Sequence, residues 1–245
     1  MDTQTRHALK QDKFVHATST GISWLEGNRA SVVRIGIAVV VLVAVVVGGV
    51  LLYTQRAQAA DAAFGQAMST YSTPLLQPGQ PADPNAPAYA TAAERARAAN
   101  KLFLEVANKY SWLDTGKNAR YLAGITYLET GQSSSAENEL KQVADAHDAG
   151  LAALARLALA GLYHQTGRDA MAIELYQKLI EKPTDTVPAS SARLQLAELY
   201  ENTNPGEARR LYAEIKDKDK NSPAAQIANQ KLNPGQQQAP QMPPQ

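Results

Sequence analysis

The chain has 245 residues, 44% of them hydrophobic, with 24 basic and 23 acidic side chains and a net charge of +1. That balance argues against a nucleic-acid binder, which needs surplus cations to displace phosphate counterions. There is no cysteine, so disulfides, thiolate chemistry and zinc fingers are excluded.

Residues 1–34 form a basic segment with Arg6, Lys10, Lys13, Arg29 and Arg34. Within it Leu9, Phe14, Ala17, Trp24 and Leu25 alternate with charges. Two readings stand for this segment: a short amphipathic helix at a membrane interface anchored by Trp24, or a mobile tail. The next nineteen positions, Ile35 to Tyr53, carry no charge. As a helix they span roughly 28 Å, close to the ~30 Å hydrocarbon core of a bilayer, and the run predicts a single transmembrane helix over 35–53. The twenty residues after it hold only Arg56 as a basic residue, so the positive-inside rule puts the N-terminus in the cytoplasm and the bulk of the chain on the far side. A cleaved signal peptide, with Ala57-Gln58-Ala59 as its cleavage site, is the rival reading. It is disfavoured by an apolar run longer than the usual 7–15 residues. No cysteine follows for lipid attachment. Ala44 and Gly48 are spaced for close helix approach, a pairing that arises easily by chance in a Val/Ala/Gly-rich run.

Asp61 to Thr73 predicts the first helix of an irregular first repeat, with no breaker separating it from the span. Residues 74–90 are a Pro-rich insert with Pro74, Pro78, Pro81, Pro84 and Pro87. It is expected as a solvated loop, with a polyproline-type ligand as the alternative. Thr91 with Glu94 reads as a capping box opening the next helix. Ala119 to Tyr127, Ala155 to Tyr163 and Ala192 to Tyr200 then superimpose, each starting Ala-Arg and closing on Tyr, at offsets of 36 and 37 residues. Gly131, Gly167 and Asn204 lie four residues after each Tyr. A second helix follows each, with Ala136, Ala172 and Ala208 aligned, and Leu140, Tyr176 and Tyr212 four positions on. Small residues let two helices of a hairpin approach, Tyr and Leu fill the holes beside them, and Gly or Asn ends the first helix in a left-handed turn. Self-similarity at this period means stacked helical hairpins, each burying its face on the next. Asn204-Pro205 and Ser222-Pro223 each pair a cap with Pro at the first helical position. Ala224 to Leu232 is expected as a short closing helix with a polar outer face, and 233–245 as a disordered Pro/Gln-rich tail.

No catalytic constellation, phosphate-binding Gly loop or metal-ligand spacing emerges, so no enzyme, cofactor or metal is expected. Asp145, His147 and Asp148 come nearest to a ligand cluster and read as solvated turn residues. Arg120, Arg156 and Arg193 recur in register and are expected to pair with carboxylates of adjacent helices such as Glu139 and Glu174.

The recurring Ala, Gly and Tyr landmarks between roughly residues 60 and 232 resemble the tetratricopeptide repeat. The resemblance implies an all-α chain in which residues 54–232 form a superhelix of hairpins whose concave face, lined by first helices, binds protein. Carried onto these repeats, the groove positions are Asn118, Tyr121, Ile125 and Leu128, then Leu157 and His164, then Leu194, Glu198 and Glu201. Several of them, Tyr121, Leu157 and Leu194 above all, are alternatively packing between repeats. A basic N-terminal segment, one span, the Ala59-Ala60-Asp61-Ala62-Ala63-Phe64 start and the Ala-Arg-Leu repeats are together similar to the ancillary subunit family of the bacterial Sec translocon. That resemblance implies a single-pass inner-membrane protein with a periplasmic domain, passing exported chains from translocon subunits to periplasmic chaperones. The longer N-terminal segment, the insert and the tail depart from that family. A periplasmic scaffold for envelope or division complexes stays open, and an envelope hydrolase is least supported.

Overall fold

A computed structural model describes residues 29–77 and 87–234. The interfacial helix expected around Trp24, the polyproline geometry between Pro78 and Pro84, and the tail from Gly235 lie outside the described residues. Among the described residues the chain is all-helical. α1 (Arg29–Ser72) is a helix of 44 residues, and it alone among the described residues is long and apolar enough to cross a membrane. Its Val40, Leu42, Val45 and Leu52 are more than 60% exposed. The chain divides into two compact units after Arg56.

The second unit contains the end of α1 and eight further helices. They are α2 (Ala92–Lys109), α3 (Asp114–Glu129), α4 (Ser133–Ala144), α5 (Ala149–Gln165), α6 (Asp169–Glu181), α7 (Ala189–Thr203), α8 (Pro205–Lys218) and α9 (Pro223–Leu232). From α2 onward every helix packs on its successor, and α3 also touches α5, as α7 touches α9. Each of these helices thus packs mainly on its neighbours in the chain. Residues 60–72 of α1 pack as the partner of α2: Ala60 and Ala67 are fully buried, and Phe64 and Tyr71 set their rings 5.9 and 6.0 Å from that of Phe103. The insert between them is pinned at its base, where the Leu76 amide donates to the Tyr89 carbonyl at 2.9 Å.

The turns show why the sequence repeats as it does. Gly131 and Gly167 both have φ of +72°, a conformation that costs a residue with a Cβ about 1–2 kcal/mol. Each closes a Schellman motif: Gly131 N–H donates to Leu128 O and Gln132 N–H to Tyr127 O, while Gly167 and Arg168 repeat the pair on His164 and Tyr163. In the second turn the Arg168 guanidinium lies 4.4 Å over the Tyr163 ring, filling the place of the usual apolar contact. Asn204 does not follow them into the left-handed region. Its φ is −150°, and it serves as C-cap of α7 and N-cap of α8 together, its side chain accepting from the Glu207 amide. Pro205 explains the difference, because a residue before Pro is driven towards extended backbone. Thr91, Asp148 and Ser222 cap their helices through side-chain oxygens.

Sheltered polar bonds tie the second helices α2 and α4 to the hairpins that follow them. Asn100 on α2, 7% exposed, donates to Ala123 O and Thr126 Oγ1 of α3, both at 2.9 Å. Thirty-seven residues on, Glu137 of α4 accepts from Tyr163 Oη of α5 at 3.2 Å and from Arg168 at 2.8 Å. Two of the three repeated arginines, Arg120 and Arg156, act at the same joints. Arg120 reaches Glu139 at 2.7 Å and the Ala107 carbonyl at 3.2 Å. Arg156 donates to the Ala144 carbonyl at 2.6 Å, and no Glu174 contact is present for it. Carbonyls in the last turn of a helix lack intrahelical donors and carry the negative end of the dipole, and that environment attracts the cation more than an exposed carboxylate does. Arg193 lies buried, 3.6 Å from Glu214 and 3.5 Å from Asp219.

Candidate protein-binding face

The nine positions picked out from the sequence fall into three groups. Asn118 on α3 and His164 on α5 are exposed, the latter with Nδ1 2.7 Å from Asp169. Tyr121, Ile125, Leu128 and Leu157 are half-buried, each packed against the main core while keeping an accessible edge. Their spacing sets the first three on one side of α3, since i, i+4 and i+7 recur on one helix face. Burial raises the Tyr121 phenol above its usual value. Leu194 is different. It is 8% exposed and belongs to the core, and the exposed side chain on that turn of α7 is Gln195. Its side chain packs in the core, which agrees with the packing alternative that its position allowed.

Glu198 and Glu201, one turn apart on α7, are half-buried in unequal ways. Glu201 accepts from Tyr212 Oη at 2.7 Å and pairs with Lys231 of α9 at 2.8 Å. Those two bonds hold its carboxyl below the usual value. Glu198 receives only the Gln195 amide, at 2.9 Å, and desolvation pushes its carboxyl up, with Glu201 nearby adding to the rise and Lys231 opposing it. A raised folded-state pKa means that the protonated form favours folding, so this contribution is present below pH 4.5 and is lost as pH rises through the raised value. Glu198→Gln keeps the bond to Gln195 and removes the charge. Its melting temperature is expected to exceed the parent's at pH 7, with the gap closing below pH 4.5; thermal melts across that range check it.

A separate concavity of about 810 Å³ opens between α4, α5 and α6, lined by Ala153, Arg156, Leu159, Met171, Leu175 and Lys178 among others. None of the nine sequence-chosen residues lines it. On α5 it uses a different side from Leu157 and His164. Met171, 42% exposed, was its one sequence signal, and the i, i+4 spacing of Met171 and Leu175 reads equally as packing between repeats.

Asp148 spends its carboxylate on the α5 N-terminus, accepting from the Gly150 and Leu151 amides at 2.9 and 3.0 Å. Among the described residues no group of three His, Cys, Asp or Glu side chains gathers as a metal site. The Lys216–Lys220 stretch lies on the surface. What the first-helix face offers is apolar edges (Tyr121, Ile125, Leu128, Leu157), with hydrogen-bonding groups at Asn118 and His164 and a desolvated carboxylate on α7. No family model matches the chain, and no curated protein or solved structure does.

Proposed function

We propose that this chain is a single-pass membrane adaptor whose tetratricopeptide-like hairpin stack holds a protein segment along its first helices. The observation that carries the reading is one combination: a membrane-length apolar helix joined to sequentially packed hairpins whose first helices keep apolar edges accessible. Hairpin stacks present such edges to extended or helical peptides, gaining affinity from apolar burial and register from flanking polar groups. The excess of basic residues ahead of the span supports a cytoplasmic N-terminus, with the repeat domain in the periplasm of a bacterial inner membrane. Resemblance to the Sec translocon's ancillary subunit supports translocon subunits, periplasmic chaperones or exported client chains as partners. No nucleic acid, cofactor or small-molecule substrate enters this reading, and no catalytic step.

In-cell crosslinking of C-terminally tagged full-length protein, followed by mass spectrometry of its neighbours, tests the assignment. Translocon subunits and periplasmic chaperones are expected among the leading partners. Division or cell-wall proteins in their place overturn the translocon assignment in favour of an envelope scaffold.

A further inference from the structure

The first-helix arginines Arg120, Arg156 and Arg193 recur in register, but their counter-charges do not. Arg120 has Glu139 at 2.7 Å, and Arg193 has Glu214 at 3.6 Å and Asp219 at 3.5 Å. Counted from the aligned Ala136, Ala172 and Ala208, Glu139 corresponds to Leu175, Glu214 to Lys178 and Asp219 to Pro183. Each place that holds a carboxylate beside a flanking arginine thus carries an apolar or a cationic residue in the middle repeat. Arg156 bonds the Ala144 carbonyl at 2.6 Å, and none of the ion pairs among the described residues includes it. A carbonyl orients the guanidinium but supplies no counter-charge, and the fork retains further N–H donors.

The substituted positions Leu175, Lys178 and Pro183 line the concavity of about 810 Å³ between α4, α5 and α6, and so does Arg156. The absent counter-charge and the open space therefore coincide. Apolar lining comes from Leu159 of α5 and from Met171 and Leu175 of α6, with Met171 42% exposed. The carboxylates at its edge are exposed. Glu174 is held by Lys178 at 2.6 Å, and neither Asp145 nor Glu181 forms an ion pair with Arg156. A half-buried charge is screened less than an exposed one, so it gains more from a partner of opposite sign. The volume lies within the ~300–1,000 Å³ of ligand-binding clefts.

We propose that this concavity is a second peptide-binding site, which takes a partner segment carrying an Asp or Glu side chain next to an aliphatic one. The carboxylate meets Arg156, and the aliphatic side chain packs on Leu159, Met171 and Leu175. The bound carboxylate then supplies in trans what Glu139 and Glu214 supply within the flanking repeats, a charge-assisted bond of the stronger kind. The site is separate from the first-helix face, none of whose chosen residues lines it. All of its residues belong to the unit that follows Arg56.

Full-length protein in dodecyl maltoside micelles is screened against a position-scanning array of N-acetylated, C-amidated hexapeptides, in which every carboxylate is a side chain. The strongest binders are expected to pair Glu or Asp with Leu, Ile or Met. Replacing the acidic residue of the best of them by its amide is expected to weaken binding about tenfold or more, and Arg156→Gln to cause the same loss. Because that variant also gives up the Ala144 bond, Lys178→Glu is the second. The Lys178 side chain is 59% exposed, so the fold is not at stake, and the new carboxylate stands where the next repeat has Glu214. It should occupy Arg156 and exclude the peptide, with the circular dichroism unchanged. Binding with no preference for acidic residues, or an acidic preference that survives in either variant, overturns the proposal.

Discussion

Gly116→Ala is expected to destabilise the repeat domain by about 3 kcal/mol, the upper end of overpacking costs. That loss lowers Tm by roughly 6–12 °C at 2–4 °C per kcal/mol for a domain of this size. Gly116 stands in the first turn of α3, where a Cβ would come within 2.0 Å of the Tyr110 carbonyl oxygen. The obstacle is backbone in the turn before α3, so it cannot rotate aside as the tip of a side chain would. Relief requires either the turn or the start of α3 to move, and both are fastened: Leu113 is buried and Thr115 is bonded to Asp61. Gly161→Ala provides the contrast. A Cβ there meets nothing within 4 Å in the middle of α5, and relief of glycine's backbone entropy is expected to add ~0.5–1 kcal/mol. Thermal melts of the two variants should move in opposite directions; a shared direction would remove the close-approach argument.

Phe103→Ala is expected to cost about 3–5 kcal/mol, the range for emptying a fully buried aromatic site. Phe103 is completely buried, and it is the residue on which Phe64 and Tyr71 of α1 converge. Tyr71 is tied to the domain by two further contacts: its hydroxyl donates to Glu129 Oε1, and the Arg95 guanidinium lies 5.7 Å above its ring. Burial first, then the bond to Glu129, pushes the Tyr71 phenol up to about 12, so it stays a donor throughout the neutral range. Without the Phe103 ring, residues 60–72 keep polar ties but lose the apolar surface that seats them. The loss should therefore be uneven along the chain. Hydrogen exchange is expected to rise most in peptides covering 60–72 and α2, and least in α7 to α9. Uniform exposure of all helices would mean that α1 is no separately seated partner of α2.

The elements most legible in the sequence were those governed by short-range chemistry. Nineteen uncharged residues in a row admit few structures besides a membrane-length helix, and α1 contains them all. Gly131 and Gly167 announced left-handed turns because the conformation is local, and Ser222-Pro223 announced a helix start for the same reason. Features decided by neighbours distant in sequence were less legible. Asn204 occupies the glycine position in the third repeat, yet the following Pro sets its backbone. Arg156 shares the register of Arg120 but has no carboxylate within bonding distance, and it caps α4 at Ala144 instead. Whether Leu194 or its neighbour Gln195 meets solvent depends on how α7 rolls against α6, α8 and α9, a rotation that one residue of register cannot fix. The concavity beside Met171 is a gap between three helices, and no single one of them encodes it.

The account's central claim is that the first-helix face engages a protein partner. It is tested most directly by placing a photo-crosslinking amino acid, one site at a time, at Asn118, His164 and Gln177 of the full-length protein in living cells. All three positions are exposed, so folding is not at stake; Asn118 and His164 belong to the proposed face, and Gln177 lies on α6, a second helix. The account predicts a common crosslinked partner from Asn118 and His164 and none from Gln177. Crosslinks from Gln177 alone, or no partner from the two first-helix sites, would contradict it.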